Sequence, residues 1–207
     1  MKHLASSLVL SFLVGVTMSI SGAASAYADG NGNQDAVRAC NEGGYQTLVG
    51  FARNGSKVMF DNAGACKAYA ARGGTLYRLA TTTFFVDATK ATWQDTGVSI
   101  PRGATASITA MGTAVWYVPS DLTSTPNGFG TCMNEGTFTC LAPGLPFASL
   151  VGKVDNGSPF EVGSGPTTAT GPGELMLGFD DNNFSDNSGG FTASITAYTP
   201  VTLPAPR

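Results

Sequence analysis

The sequence predicts an all-β protein: an antiparallel β-sandwich of the jelly-roll kind, preceded by a small disulfide-bonded unit. Apolar or small residues alternate with polar ones in residues 104–110 and 191–197, large apolar residues occupy every second position over residues 175–179, and residues 81–86 are rich in residues that favour strands. Alternation over about five to eight residues, bounded by Gly and Pro, is typical of strands with one buried face. Charged residues are only 12% of the chain while glycines number 27, a composition suited to many short strands joined by turns. Together these observations favour a sandwich.

The N-terminus has the layout of a secretory signal peptide over residues 1–28. A basic start at Lys2 precedes an apolar run over residues 8–16, and small residues then lead to cleavage motifs ending at Ala26 and Ala28. The alternative is a membrane anchor, but a bilayer span needs ~20 apolar residues and this run is shorter. No later stretch of the sequence is long and apolar enough to span a membrane. We therefore expect a secreted, extracellular protein.

Composition excludes several classes of function. The one histidine, His3, lies in the predicted signal peptide, so the mature protein has no histidine for a catalytic triad, a general base or most zinc sites. The net charge of −3 comes without a basic patch, which argues against a nucleic-acid partner. We expect no enzyme. A hydrolase using carboxylates alone is the remaining catalytic alternative, and it would need two acids on opposite sides of a cleft.

Four cysteines predict disulfide bonds in an exported protein. Three connectivities are open to four cysteines. We favour Cys40–Cys66 and Cys132–Cys140, because each pair lies within one neighbourhood of the sequence. A site in which four cysteines bind a metal is the alternative, but the C-x-x-C spacing typical of such sites is missing.

The chain divides into a small Cys40/Cys66 unit over residues 29–74, a β-sandwich over residues 75–199 and a Pro-rich tail over residues 200–207. The small unit contains a predicted short helix, with Asn62 as its N-cap and glycines from Gly73 onward as its stop. Such a unit is too small for a sizeable core of its own, so we expect it to depend on its disulfide or on the sandwich.

An acidic and amide-rich segment lies between the last two predicted strands. Residues 179–191 contain three aspartates, three asparagines and several serines and glycines. Calcium prefers six to eight hard oxygen ligands, and a cation would remove the repulsion among close carboxylates. The segment is not an EF-hand, since its flanks are strands and it lacks the closing glutamate. The alternative is a solvated loop of Asx turns.

Six short segments of the sequence are informative through their order and spacing. These are residues 96–103, 108–112, 149–154, 160–163, 173–177 and 179–189. In that order they resemble the LecA-like bacterial lectins, the PA-I-type calcium-dependent galactose-binding family, over about residues 90–198. The resemblance implies a galactose-binding-like sandwich with one calcium ion at its edge, whose coordination two sugar hydroxyls complete.

The resemblance also implies the ligands. Asp181, Asp186 and Asn187 match the side-chain ligands of the ion, and all three would also hydrogen-bond the sugar. The backbone ligands would be the carbonyl of Asn183 or Phe184 and the carbonyl of Trp116 or Tyr117.

The rest of the sugar site would come from the middle of the chain, where residues 119–146 are rich in Pro, Thr, Asn and Gly, are closed by Cys132 and Cys140, and are predicted to be loop. Long ordered loops on a rigid sandwich are where binding usually occurs. Trp116 and Tyr117 are adjacent, so one of the two rings should be exposed for contact with a ligand. The galactose-binding members use a histidine and a glutamine from the middle loop, whereas residues 118–130 contain neither and offer Asp121 and Asn127 as polar candidates. The sequence therefore assigns no particular sugar.

We expect a secreted, lectin-like protein that binds a carbohydrate or glycoconjugate and depends on calcium. The alternative is a structural or adhesive extracellular protein that uses the same sandwich without binding sugars. Assembly into a homo-oligomer would suit a lectin, because several linked sites raise avidity.

Overall fold

The computed structural model describes residues 37–41 and 43–201. The predicted signal peptide and most of the predicted Pro-rich tail lie outside these residues. Within them, no helix is long and apolar enough to cross a membrane.

Eleven strands and a nine-residue helix make up most of the described chain, and residues 37–40 are also helical. The helix, α1, spans Ala63–Ala71. The strands are β1 Leu48–Phe51, β2 Lys57–Val58, β3 Tyr77–Asp87, β4 Gln94–Ile100, β5 Thr105–Tyr117, β6 Leu122–Ser124, β7 Ser149–Val154, β8 Phe160–Glu161, β9 Thr167–Thr170, β10 Gly173–Asp180 and β11 Ser188–Pro200. The predicted strand segments 81–86, 175–179 and 191–197 lie within β3, β10 and β11, and residues 105–110 of the run 104–110 lie within β5. The short β6 lies in a region that we expected to be loop.

Two antiparallel sheets form the sandwich. The seven-stranded sheet has the order β2-β1-β3-β11-β5-β6, and β9 pairs with the other end of β5. The four-stranded sheet has the order β4-β10-β7-β8. The predicted fold class, an all-β antiparallel sandwich, is confirmed.

The core lies between the sheets and follows from the period-two pattern of the strands. On β11 the alternate residues Phe191, Ala193, Ile195 and Ala197 are buried and join the main apolar cluster. Phe179 on β10 meets Phe191 across the sandwich, with ring centroids 5.6 Å apart. This contact joins the two sheets a few residues from each end of the segment that connects β10 to β11.

The N-terminal segment has a smaller apolar cluster of its own. Asn62 caps α1 by accepting a hydrogen bond from the Ala65 N–H at 2.9 Å, and Gly73 follows the helix in the left-handed region with φ of +83°. The predicted helix, cap and stop are therefore confirmed. Strand β1 pairs with β3, which extends the larger sheet into this segment. The division of the chain into two separate units between residues 74 and 75 stays a prediction.

Both favoured disulfides are present: Cys40–Cys66 and Cys132–Cys140. The first lies in the smaller apolar cluster and links α1 to the segment before β1. The second closes a loop between β6 and β7. All four sulfurs are therefore paired, which rules out the four-cysteine metal site.

Removing the Cys40–Cys66 bond should destabilise the N-terminal segment strongly, because the disulfide restricts the unfolded chain across a separation of 26 residues. We expect the Cys40→Ala/Cys66→Ala variant to lose about 3–4 kcal/mol of unfolding free energy in urea titrations. An early, separate transition of this segment would fit the same account. A loss below about 1 kcal/mol would show that the apolar cluster alone holds the segment.

Candidate functional site

The connection between β10 and β11 forms a compact loop with a single 3-10 turn at Phe184–Asp186. Asp181 Oδ1 accepts hydrogen bonds from the N–H groups of Asn182 at 2.6 Å and Asn183 at 3.1 Å. Asn183 Oδ1 in turn accepts from the hydroxyl and the N–H of Ser185, at 2.7 and 3.3 Å. These Asx bonds close the loop locally, as the Asp/Asn-rich sequence favours.

Asp186 and Asn187 are each fixed through one atom of the side chain. The Asn183 amide donates to Asp186 Oδ2 at 2.9 Å. The Asn187 amide donates to the buried carbonyl of Ala88, at the end of β3, at 3.0 Å. The loop is thus held both by itself and by the adjoining strand of the larger sheet.

Each of these anchored groups leaves one oxygen free. Within the described residues, Asp181 Oδ2, Asp186 Oδ1 and Asn187 Oδ1 are buried and have no hydrogen-bond partner. Asp181 and Asn187 are only 1% and 7% exposed. Buried polar atoms normally find a partner, because desolvation without a hydrogen bond costs about 1–3 kcal/mol each and more when the group is charged. Carboxylate and amide oxygens are the type of ligand that a hard cation prefers, so these three free oxygens make the loop a candidate cation site.

The electrostatics of the loop agree with that donor set. Burial raises the pKa of the Asp181 carboxyl; the N–H groups of Asn183 and Asn182 and the Asn187 side chain oppose the shift, and the charge of Asp186 adds to it. Among the described residues, no lysine or arginine forms an ion pair with these acids. A divalent cation would supply the missing positive charge and favour the ionised form.

The end of β5 approaches the same loop. Ser188 at the start of β11 pairs with Val115, and β5 contacts the 184–186 turn. The β5–β6 register shifts between Val115 and Tyr117, so Trp116 is the extra residue of a bulge and has no partner on β6. A bulge leaves its extra residue outside the ladder, and bulges often lie next to functional sites. The Trp116 backbone is thus placed beside the loop.

An aromatic pocket of about 370 Å³ opens next to Trp116. The rings of Trp116, Phe129 and Phe147 pack against one another with centroids 5.3–5.5 Å apart. Phe129 and Phe147 are brought together by a pair of backbone hydrogen bonds of 2.9 and 3.0 Å. Asn182 forms part of the wall, directly after Asp181 in the chain, and its amide donates to the Met133 carbonyl at 3.3 Å.

The other residues that the sequence predicted for the site differ in their exposure and in whether they line the pocket. Trp116 is half-buried and Tyr117 is exposed, so one of the two rings is exposed as predicted. The reason differs from the predicted one, because the two ring centroids are only 6.2 Å apart and the irregular register at Trp116 breaks the alternation of the strand. Asp121 and Asn127 are not among the residues described as lining this pocket. Asp121 follows a 3-10 turn with φ of +49°, and Asn127 Oδ1 accepts the Ser164 N–H at 2.8 Å, so Asn127 joins two loops. Asn183 has its side-chain oxygen occupied, which leaves only its carbonyl for an ion.

Sequence reasoning pointed to the loop closed by Cys132 and Cys140 as a place where binding could occur, but it missed the individual residues that line the pocket there: Met133 and Glu135 in the loop and Thr131 just before it. It also missed Phe129 and Phe147, which stand on either side of that loop. The cysteine spacing did give a weak indication, because a disulfide that closes a short loop brings the residues before and after that loop together.

Asp180 is a further buried acid with one free oxygen. Its Oδ1 accepts the Ala142 N–H at 2.8 Å, and its Oδ2 has no partner among the described residues. It lies against Cys132 and Cys140, whose sulfurs are bonded to each other and so are not metal ligands. Burial raises the pKa of the Asp180 carboxyl to about 7, and the charge of Asp181 adds to the shift.

The raised pKa of Asp180 predicts a loss of stability with rising pH. The folded protein holds this proton up to about pH 7, whereas the unfolded chain releases it near its ordinary pKa of 3.8, so stability falls from about pH 4 to pH 7. In EDTA, the unfolding free energy of the wild type should fall between pH 5 and pH 8. We expect this fall to be about 2 kcal/mol smaller in the Asp180→Asn variant, which keeps the acceptor for the Ala142 N–H. Urea titrations at both pH values measure this. An unchanged decline would assign the titration to another group.

The comparison with solved structures finds similarity to a lectin domain. No protein-family model matches the chain, and no curated protein matches it. A solved structure described as "EclA N-terminal domain; PllA-like lectin" is similar at a TM-score of 0.43 and 26% identity, over 57% of this chain and 96% of that one.

Proposed function

We propose that the protein is a secreted, lectin-like carbohydrate-binding protein whose site is built around a calcium ion. The observation that carries this proposal is the set of buried, unpaired oxygens of Asp181, Asp186 and Asn187. In the absence of a cation, these atoms would combine a desolvation cost with mutual repulsion. In its presence, the same atoms become ligands.

The coordination would have two parts. The side chains of Asp181, Asp186 and Asn187 would bind the ion through their free oxygens, with a carbonyl of Asn183 or Phe184 and one of Trp116 or Tyr117. Calcium takes six to eight oxygens, so positions remain for oxygens from outside the chain. Adjacent hydroxyls of a sugar are suited to those positions, as the resemblance to the LecA-like family implies.

Export is part of the proposal. A signal-peptide pattern at residues 1–28 and two disulfides both suit an oxidising compartment outside the cytoplasm. Calcium at the concentrations found outside cells would then be available to a site of modest affinity.

Binding is favoured over catalysis. The acids of the site lie on one short loop, which suits a cation better than a hydrolytic pair on opposite sides of a cleft. The mature chain has no histidine to act as a general base.

A structural or adhesive role is the second candidate, and one feature favours it. Across the outer face of the larger sheet, Phe85 on β3 and Met111 on β5 both pair with Thr192 on β11. Phe85 and Met111 are 56% and 71% exposed. Large apolar side chains grouped on an exposed sheet face are typical of surfaces that associate. This role would show as self-association that does not respond to sugars.

A glycan array probed in calcium and in EDTA tests the proposed function. We expect the mature protein to bind a subset of glycans in calcium only. The Asp186→Asn variant should lose this binding because it loses a charged ligand, while the Asp61→Asn variant, changed at an exposed acid far from the loop in sequence, should retain it. Equal binding in EDTA, or none on any glycan, would contradict the proposal.

A further inference from the structure

The pocket beside the β10–β11 loop is lined by side chains that would not bind the calcium ion. Its floor is the cluster of Trp116, Phe129 and Phe147, and its outer side is the loop closed by Cys132–Cys140. Phe129 is 46% exposed although it packs on two other rings. A large aromatic ring held in place with one face open to solvent is typical of a binding surface.

The apolar part of this pocket fits a sugar ring. A pyranose presents an apolar face of C–H bonds, and an aromatic ring packs on such a face because both surfaces lose water in the contact. The Phe129 ring packs on the rings of Trp116 and Phe147, and the Phe129 backbone is fixed by two hydrogen bonds to the backbone of Phe147. Little side-chain freedom would therefore be lost on binding.

The polar part fits hydroxyl donors. Glu135 on the disulfide loop offers carboxylate oxygens, which accept hydrogen bonds only. Asn182 uses its amide N–H on the Met133 carbonyl, so its oxygen is left as an acceptor. Thr131 adds a hydroxyl at the edge. Aromatic faces with hydrogen-bond acceptors around them match a neutral polyhydroxylated ring.

Charge further restricts the ligand. Among the described residues, neither lysine nor arginine is part of the pocket wall, whereas Glu135 is. A calcium ion would offset the charges of Asp181 and Asp186 and leave Glu135 uncompensated. An anionic sugar in this pocket would meet a like charge without any partner.

We propose that this pocket takes the second ring of a neutral glycan, whose first ring completes the calcium coordination; this inference rests on the proposed function. Asn182 in the pocket wall directly follows Asp181, so the two ligand positions adjoin. The volume of about 370 Å³ is within the range of about 300–1,000 Å³ usual for small-molecule sites. The chain would thus select oligosaccharides over monosaccharides and neutral glycans over acidic ones.

Titration calorimetry in calcium tests this with a monosaccharide selected on the array, a neutral disaccharide that extends it, and the same disaccharide carrying a carboxylate on the second ring. We expect the neutral disaccharide to bind about tenfold more tightly than the monosaccharide. Phe129→Ala should remove this tenfold gain and leave the monosaccharide affinity within about twofold. Glu135→Gln should raise the affinity for the acidic disaccharide severalfold.

Matched controls separate the pocket from the surrounding surface. Phe138 is on the same disulfide loop and is 48% exposed, close to the value for Phe129, but it is not part of the pocket wall. Phe138→Ala should leave all three affinities unchanged. Glu161, an exposed acid on β8, provides the same control for Glu135 when changed to Gln.

The outcomes distinguish the two proposals. If the monosaccharide binds in calcium only, but the disaccharide gains nothing or Phe129→Ala retains the gain, the pocket is not a sugar subsite and the proposed function stands. If Phe138→Ala reduces the gain as much as Phe129→Ala does, the pocket assignment is also overturned. If no glycan on the array binds in calcium, the proposed function fails and this inference fails with it.

Discussion

Replacing Asp181 with asparagine should abolish the thermal stabilisation that calcium gives to the wild-type protein. A ligand that binds only the folded state at a hundredfold excess over its Kd adds about 2.7 kcal/mol. For a chain of this length that corresponds to a rise in Tm of roughly 5–11 °C. Asparagine removes a charged ligand oxygen that is 1% exposed and has no other partner, so the variant should show a rise below about 1 °C.

Without calcium, the wild type should no longer be more stable than the Asp181→Asn variant. Burial and Asp186 both raise the pKa of Asp181, which means that the ionised carboxylate is disfavoured in the folded protein. In EDTA the Asp181→Asn variant should therefore melt at the same temperature as the wild type or slightly above it. The Asp61→Asn variant should behave as wild type in both conditions. A full calcium response in Asp181→Asn would place the ion elsewhere, and no response in the wild type would make the loop a solvated turn.

Truncating Phe191 should be the most destabilising single change in the sandwich. Phe191 is fully buried on β11 and contacts Phe179 across the core, so alanine leaves a cavity between the two sheets. We expect Phe191→Ala to lose about 3–5 kcal/mol of unfolding free energy in urea.

Phe85 on the neighbouring strand is the matched control for this prediction. It belongs to the same sheet but faces outward and is 56% exposed, so Phe85→Ala should change stability by no more than about 0.5 kcal/mol. If the two variants cost the same, the described inner and outer faces of the sheet would be wrong. If Phe191→Ala costs less than about 1 kcal/mol, the core between the sheets does not dominate stability.

Local pattern was enough to predict the sandwich and part of the site. Residues 105–110 and 191–197 alternate strictly, and in both segments the buried residues are the apolar ones. The choice of Asp181, Asp186 and Asn187 came from one short segment and from a family resemblance. The structure shows a free buried oxygen on each of the three, although the ion itself stays a prediction.

The aromatic pocket could not be predicted in the same way, because it depends on contacts between distant residues. Phe129 and Phe147 lie on either side of the disulfide loop and meet through an isolated β-bridge, and the Trp116 bulge depends on the register of β5 with β6. The same reason explains why Asp121 and Asn127 are not in the pocket wall. Asn127 is used to hold Ser164, a contact that no local pattern indicates.

A crystal structure of the mature protein grown in about 1 mM calcium would test the central claim most directly. We expect electron density for a cation at about 2.3–2.6 Å from Asp181 Oδ2, Asp186 Oδ1 and Asn187 Oδ1, with anomalous signal consistent with calcium. At least one position of its coordination shell should be open to solvent for a sugar hydroxyl. A loop in which these three oxygens bind only water, or turn to other protein donors, would contradict the account.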